Sequence, residues 1–118
     1  YRRTGIFPIM HVVGIRKELA QQHRWLPGAV FKAFSESKSK ALELLADTSA
    51  TKVTLPFVEE QLKAARETLG DDFWSYGVGP NRKTIEAFLH HHHAQGLSAR
   101  KVGIDEVFDP STYETYSI

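Results

Sequence analysis

The chain has 118 residues and a formal net charge of +1, with 42% hydrophobic and 25% charged residues. This length allows one domain with a real core, and the composition is ordinary for a globular protein. Because basic residues are scattered among acidic ones, we do not expect a nucleic-acid partner. No apolar run reaches the roughly 18 residues that a membrane span needs, so we expect no membrane partner. The absence of cysteine excludes disulfides, thiolate catalysis and cysteine-bound metals.

Residues 6–15 form an almost unbroken apolar run that contains Pro8 and His11. The run is short, rich in branched residues and apolar at odd and even positions, which predicts a buried β-strand covered on both faces. Such a strand needs a partner for its N–H and C=O groups, either outside these residues or in a second copy, as in a homo-oligomer. Together with a first residue that is not Met, this predicts a piece of a larger α/β protein.

The rest of the sequence predicts helices and loops. Apolar spacing and capping residues indicate helices at about residues 16–23, 27–46, 54–69 and 82–95, and a last helical turn at 103–108. Asn81 suits the N-cap of the fourth helix, and Gly70 suits the end of the third. Residues 47–52 predict a polar turn. The predicted fold class is therefore a mostly helical α/β fragment: a strand (6–15), a helical cover (16–108) and a tail (109–118).

Two histidine features could carry chemistry. Residues 90–93 are four consecutive histidines, but on a helix only His90 and His93 share a face, so we predict no metal site and expect His92 to pack inward. His11 lies inside the apolar run, where it is either a hydrogen-bonded structural residue or a group that faces a cavity. Arg2 and Arg3 come just before it, and guanidinium groups bind carboxylates well. This combination suits an anionic ligand that needs a proton.

A further cluster is the aromatic segment that contains Phe73, Trp74 and Tyr76 between glycines and a proline. Aromatic side chains in an irregular segment either fill a gap in the core or line a pocket. The residues alone leave both interpretations open.

Several segments resemble the C-terminal part of the 4,5-dihydroxyphthalate decarboxylase family. They are residues 4–11 (TGIFPIMH), 25–27 (WLP), 31–34 (FKAF), 76–78 (YGV), 80–84 (PNRKT) and 95–97 (QGL). The resemblance spans nearly the whole chain, and TGIFPIMH is its most specific part. It implies a fold like that of type II periplasmic binding proteins, with two α/β lobes, in which residues 6–15 would be a crossing strand.

The resemblance also implies an activity and a site. The reaction would be that of a carbon–carbon lyase, which converts 4,5-dihydroxyphthalate to protocatechuate and CO₂ in the cytoplasm without a cofactor. His11 would be the general acid, and Arg2 or Arg3 would hold the second carboxylate of this small aromatic substrate. Thr4 and Tyr76 would be further substrate contacts. The alternative is a solute-binding domain for an aromatic or thiamine-precursor-like ligand, without catalysis.

Overall fold

The computed structural model describes residues 1–49 and 54–114. Within these ranges the helices are α1 (Lys17–Gln22), α2 (Leu26–Ala46), α3 (Val58–Leu69), α4 (Val78–Ala94) and α5 (Ile104–Val107), followed by a 3₁₀ turn at Pro110–Thr112. All four predicted helices and the last helical turn are therefore present. Part of the predicted turn (residues 50–52) and of the predicted tail (115–118) lies outside the described residues. No helix in the described ranges combines the length and apolarity that crossing a bilayer requires.

The predicted β-strand is wrong, and with it the α/β fold class. Residues 6–15, here called the extended segment, have no regular secondary structure, and the described part of the chain contains no strand at all. The segment is also not buried, since Val12 is 71% and Met10 63% exposed. A β-ladder forms only between two strands, and the described residues offer no second one. Apolar content alone therefore produced neither a strand nor a buried position.

The core is small and lies where α4 meets the C-terminal residues. Val78 and Ile85 on α4 and Ile104 on α5 are its buried hydrophobic residues, with Leu89, Phe108 and Tyr113 packed around them. The radius of gyration is 16.9 Å, whereas a compact domain of this length has about 13.5 Å. The helices therefore leave open space between them, and the main cleft described below lies in that space.

Helix α4 begins at Val78 instead of after Asn81, the predicted N-cap. Pro80 is tolerated in the first turn because the N–H groups there have no acceptor within the helix. The C-terminal turn supplies an acceptor for one of these N–H groups, because the Gly79 N–H donates to the Tyr113 carbonyl at 2.8 Å. At α3 the difference has the opposite sign: the predicted start at residue 54 is early, because the helix begins at Val58, whereas Gly70 ends it as predicted.

Candidate functional site

A cleft of about 910 Å³ runs between the extended segment and the helices. Its other walls come from α2, the segment before α4, the first turns of α4 and the C-terminal residues. Two of the predicted site residues, His11 and Tyr76, line this main cleft. The structure therefore brings together one side chain that exchanges protons and one phenol, from regions far apart in the sequence.

Aromatic side chains form much of the apolar wall of the main cleft. Phe31 and Phe34 come from α2, and Phe73 and Trp74 come from the segment before α4. The rings of Phe7 and Trp74 meet edge to face, with centroids 5.4 Å apart and planes at 70°. Of the two predicted roles of the aromatic segment, the structure therefore shows the pocket-lining one. Such a wall suits a planar aromatic ligand.

Tyr76 is positioned by Lys38 of α2. The Lys38 ammonium lies 4.8 Å from the centre of the Tyr76 ring, in a cation–π contact. The same ammonium donates to Asp72 Oδ1 at 2.6 Å and to the Trp74 carbonyl at 3.2 Å. Nothing in the sequence marks Lys38 as part of the site, because its partners are more than 30 residues away and only the tertiary structure brings them together.

Asn81 has a different role from the predicted one. Its side-chain amide donates to the carbonyls of Ser75 and Gly77, at 2.9 Å each, and its Oδ1 accepts from the Ser75 hydroxyl at 3.1 Å. These bonds tie α4 to the residues on both sides of Tyr76. Asn81 therefore shapes the wall of the main cleft and does not cap the helix.

His11 lies on the exposed extended segment at the side of the main cleft. The part of the chain that the structure describes provides no hydrogen-bond partner for its ring. The exposed His11 side chain is therefore open to solvent or to a bound molecule. This geometry is compatible with proton exchange at the cleft.

The remaining predicted site residues lie outside the main cleft. Arg2 borders a second cleft of about 440 Å³, together with Glu67 of α3, and Arg3 is exposed and lines neither cleft. Thr4 acts locally, because its hydroxyl accepts from the Ile6 N–H at 3.2 Å and its carbonyl accepts from the Lys83 ammonium. The structure thus separates the two arginines from His11 and Tyr76.

Among the residues that the structure describes, Lys17 at the start of α1 is the one lysine or arginine that lines the main cleft. It was not a predicted site residue, because a lysine in a short polar helix gives no signal of its own. Lys17 closely follows the extended segment and adds a positive charge to the lining of the cleft that His11 also lines. A carboxylate bound in the main cleft would therefore share the cleft with the Lys17 ammonium, a cation of the kind that pairs with carboxylates.

The acidic residues around the main cleft are engaged in contacts within the protein. Glu106 accepts two hydrogen bonds from the Arg100 guanidinium, at 2.9 and 2.6 Å, and one from the Gly103 N–H at 2.9 Å. The Arg100 hydrogen bonds are the main cause that lowers the Glu106 pKa to about 2, with the Gly103 N–H second. Asp105 accepts from the Tyr113 hydroxyl. These carboxylates therefore hold the C-terminal residues in place.

The histidine run at residues 90–93 lies on α4 and is absent from the lining of both clefts. His92 is half-buried and packs on the ring of Phe88, with centroids 5.6 Å apart, and His93 Nδ1 lies 3.2 Å from the Ser98 carbonyl oxygen. Over residues 1–49 and 54–114, no three His, Asp or Glu side chains come together as a metal site would require.

Comparison with known proteins shows similarity along the entire chain. All 118 residues align with 4,5-dihydroxyphthalate decarboxylase from Comamonas testosteroni, at 54% identity. The chain spans 36% of the length of that protein. No protein-family model matches the chain. The similarity confirms the resemblance to the 4,5-dihydroxyphthalate decarboxylase family that the sequence predicted.

Proposed function

We propose that this chain takes part in the decarboxylation of 4,5-dihydroxyphthalate or of a chemically similar dihydroxylated aromatic dicarboxylate. The chain is similar along its whole length to a 4,5-dihydroxyphthalate decarboxylase. The observation that supports this proposal is the placement of His11 and Tyr76 on one aromatic-lined cleft. The identity of 54% over the full chain supports the choice of reaction.

The substrate itself supplies most of the electronic driving force. In 4,5-dihydroxyphthalate each carboxylate is para to a hydroxyl, whose oxygen can push electron density to the carbon that bears the carboxylate. That carbon takes a proton, the bond to the carboxylate then breaks, and its electron pair returns to the ring as CO₂ leaves. One proton enters the ring and one CO₂ leaves it. The protein needs a proton donor and groups that orient the ring.

In this proposal His11 is the general acid, because imidazole readily gives and regains a proton near neutral pH. Its exposure allows solvent to return the proton after each turnover. Tyr76 contacts a ring hydroxyl of the substrate, and the Lys38 ammonium holds the phenol ring in position.

The second carboxylate of the substrate needs a cation. Arg2 and Arg3 remain candidates because they precede the extended segment closely, although they lie outside the main cleft. Lys17 is the candidate on the cleft wall itself. We therefore expect that Lys17→Met weakens binding of phthalate more than binding of benzoate, which lacks the second carboxylate. An equal effect on both would exclude Lys17 from this role.

The proposal is tested by measuring CO₂ release from 4,5-dihydroxyphthalate with this chain, with the Comamonas testosteroni protein as a positive control. We expect CO₂ release that falls by about 100-fold or more in His11→Gln. His91→Gln is the matched control, because His91 is exposed on α4 and lines neither cleft. Undiminished release in His11→Gln would remove His11 as the acid.

The solute-binding alternative is an outcome of the same experiment. Saturable binding of 4,5-dihydroxyphthalate without CO₂ release, at protein concentrations where the control is active, would overturn the catalytic proposal in favour of a binding domain. Absence of both binding and release would overturn both functions for this chain.

A further inference from the structure

The extended segment that carries His11 is held by side chains. Among the described residues, no hydrogen bond joins residues 7–15 to any other part of the chain. The residues before it form a turn, in which the N–H groups of Thr4 and Gly5 donate to the Tyr1 carbonyl, and Lys83 donates to the Thr4 carbonyl. The residues after it enter α1. Between these two ends, the position of the segment depends on side-chain contacts.

Phe7 in this interval makes a defined ring contact with Trp74. The rings meet edge to face at a centroid distance of 5.4 Å, a favourable geometry for aromatic pairs. Trp74 is itself restrained, because its carbonyl accepts from Lys38 at 3.2 Å and its ring lies 6.4 Å from that of Phe73. The contact therefore joins a segment that lacks hydrogen bonds to a wall that is well anchored.

We infer that Phe7 and Trp74 are positioning residues, whose ring contact holds the extended segment against the main cleft and so keeps His11 at its side. The inference rests on the proposed function for its catalytic consequence, since the reaction needs the imidazole close to the substrate. The contact itself is independent of any ligand. Both residues contribute only through His11, and neither is assigned a role in the chemistry.

The contact can be tested without substrate. Trp25→Phe leaves Trp74 as the single tryptophan, because the chain has two. In this background Phe7→Leu should shift Trp74 emission to longer wavelength, as the indole loses its aromatic neighbour and gains water. The same variant should lower the backbone ¹⁵N heteronuclear NOE across residues 6–13, apart from Pro8, which has no amide proton, with α1 unchanged. Phe7→Tyr should restore both values, because it keeps the ring.

Phe88→Leu is the matched control, since Phe88 is an exposed aromatic residue on α4 whose ring contacts His92 and not the extended segment. It should change neither Trp74 emission nor the NOE values of residues 6–13. Unchanged emission and unchanged NOE values in Phe7→Leu would overturn the inference, whatever the activity of the chain.

The catalytic consequence is measured by CO₂ release. An aromatic pair of this kind stabilises by about 1 kcal/mol, so its loss lowers the equilibrium constant for the docked segment by about fivefold. CO₂ release should therefore fall by up to about fivefold in Phe7→Leu and recover in Phe7→Tyr. If the parent releases no CO₂, the proposed function fails, whereas the emission and NOE results still decide whether the contact holds the segment. Release that is unaffected in Phe7→Leu despite a mobile segment would overturn the positioning role.

Discussion

Lys38 Nζ and Asp72 Oδ1 lie 2.6 Å apart, and this ion pair joins α2 to the segment that precedes α4. The Lys38 side chain is only 15% exposed, and the same ammonium also reaches the Trp74 carbonyl and the face of the Tyr76 ring. A single amine thus organises the aromatic wall of the main cleft. Most surface ion pairs contribute little to the free energy of unfolding. Lys38 differs from them because its side chain is largely buried and its ammonium makes three contacts.

We predict that Lys38→Met lowers the free energy of unfolding by about 2 kcal/mol, because one substitution removes two hydrogen bonds of the ammonium and a cation–π contact while the aliphatic stem remains. Urea denaturation at neutral pH measures this loss. Lys32→Met is the matched control, since Lys32 lies on the same helix and its pair with Glu36 is exposed, with atoms 3.8 Å apart. The control should change stability by less than about 0.5 kcal/mol. Equal losses in the two variants would contradict the prediction.

Gly79 lies where α4 meets the C-terminal turn, and we predict that Gly79→Ala is destabilising by about 1 kcal/mol. An added Cβ would lie 3.0 Å from the Tyr113 carbonyl oxygen, which is the acceptor of the Gly79 N–H. We expect this tight contact with a backbone atom to outweigh the better helix propensity of alanine. Thermal and urea denaturation report the effect.

Gly14→Ala provides the comparison, because nothing lies within 4 Å of an added Cβ at Gly14. That substitution should be neutral or slightly stabilising. A Gly79→Ala protein as stable as the Gly14→Ala protein would show that the C-terminal turn moves aside without loss.

Stability should fall at high pH because of Tyr113. The pKa of Tyr113 is raised above its usual value of 10.0, first by the hydrogen bond to Asp105 and then by burial and the Asp105 charge. A raised pKa means that folding favours the protonated phenol, so the contribution is complete below about pH 10 and is lost as the pH rises through the folded-state pKa. Urea midpoints between pH 8 and 11.5 should fall more steeply for the parent than for Tyr113→Phe. Tyr1→Phe should keep the slope of the parent, and a parallel fall in all three proteins would rule out Tyr113 as the cause.

At the other end of the pH range, stability should fall at low pH because of Glu106. Its pKa is lowered from 4.5 to about 2, chiefly by the Arg100 hydrogen bonds, so folding favours the ionised carboxylate. The contribution is present above about pH 4.5 and is lost as the pH falls toward 2. Glu106→Gln should therefore be less stable than the parent at pH 7 and equally stable near pH 2, as measured by urea denaturation. Glu36→Gln, at an exposed pair, should match the parent at both values. A constant gap between Glu106→Gln and the parent across this range would refute the assignment.

The sequence was a good guide to local structure. Apolar spacing predicted α2 almost to the residue, since α2 runs from Leu26 to Ala46, and Gly70 was correctly predicted to end α3. These features depend on interactions between residues three or four positions apart, which can be read directly from the chain. The family resemblance also depended on short local segments of sequence, such as residues 4–11. The comparison with the Comamonas testosteroni protein confirmed this resemblance.

Tertiary structure decided the features that depend on partners far apart in the chain. Residues 6–15 have the composition of a buried strand, but a strand requires a second strand to receive its hydrogen bonds, and none lies within the described residues. Asn81 suits an N-cap, but the Tyr113 carbonyl serves the first turn of α4, and Asn81 binds the loop before it. The sequence by itself determined the helices and the candidate residues, because these follow from near neighbours and residue type. Only the packing decided that His11 and Tyr76 share a cleft while Arg2 and Arg3 lie outside it, because that depends on contacts between distant segments.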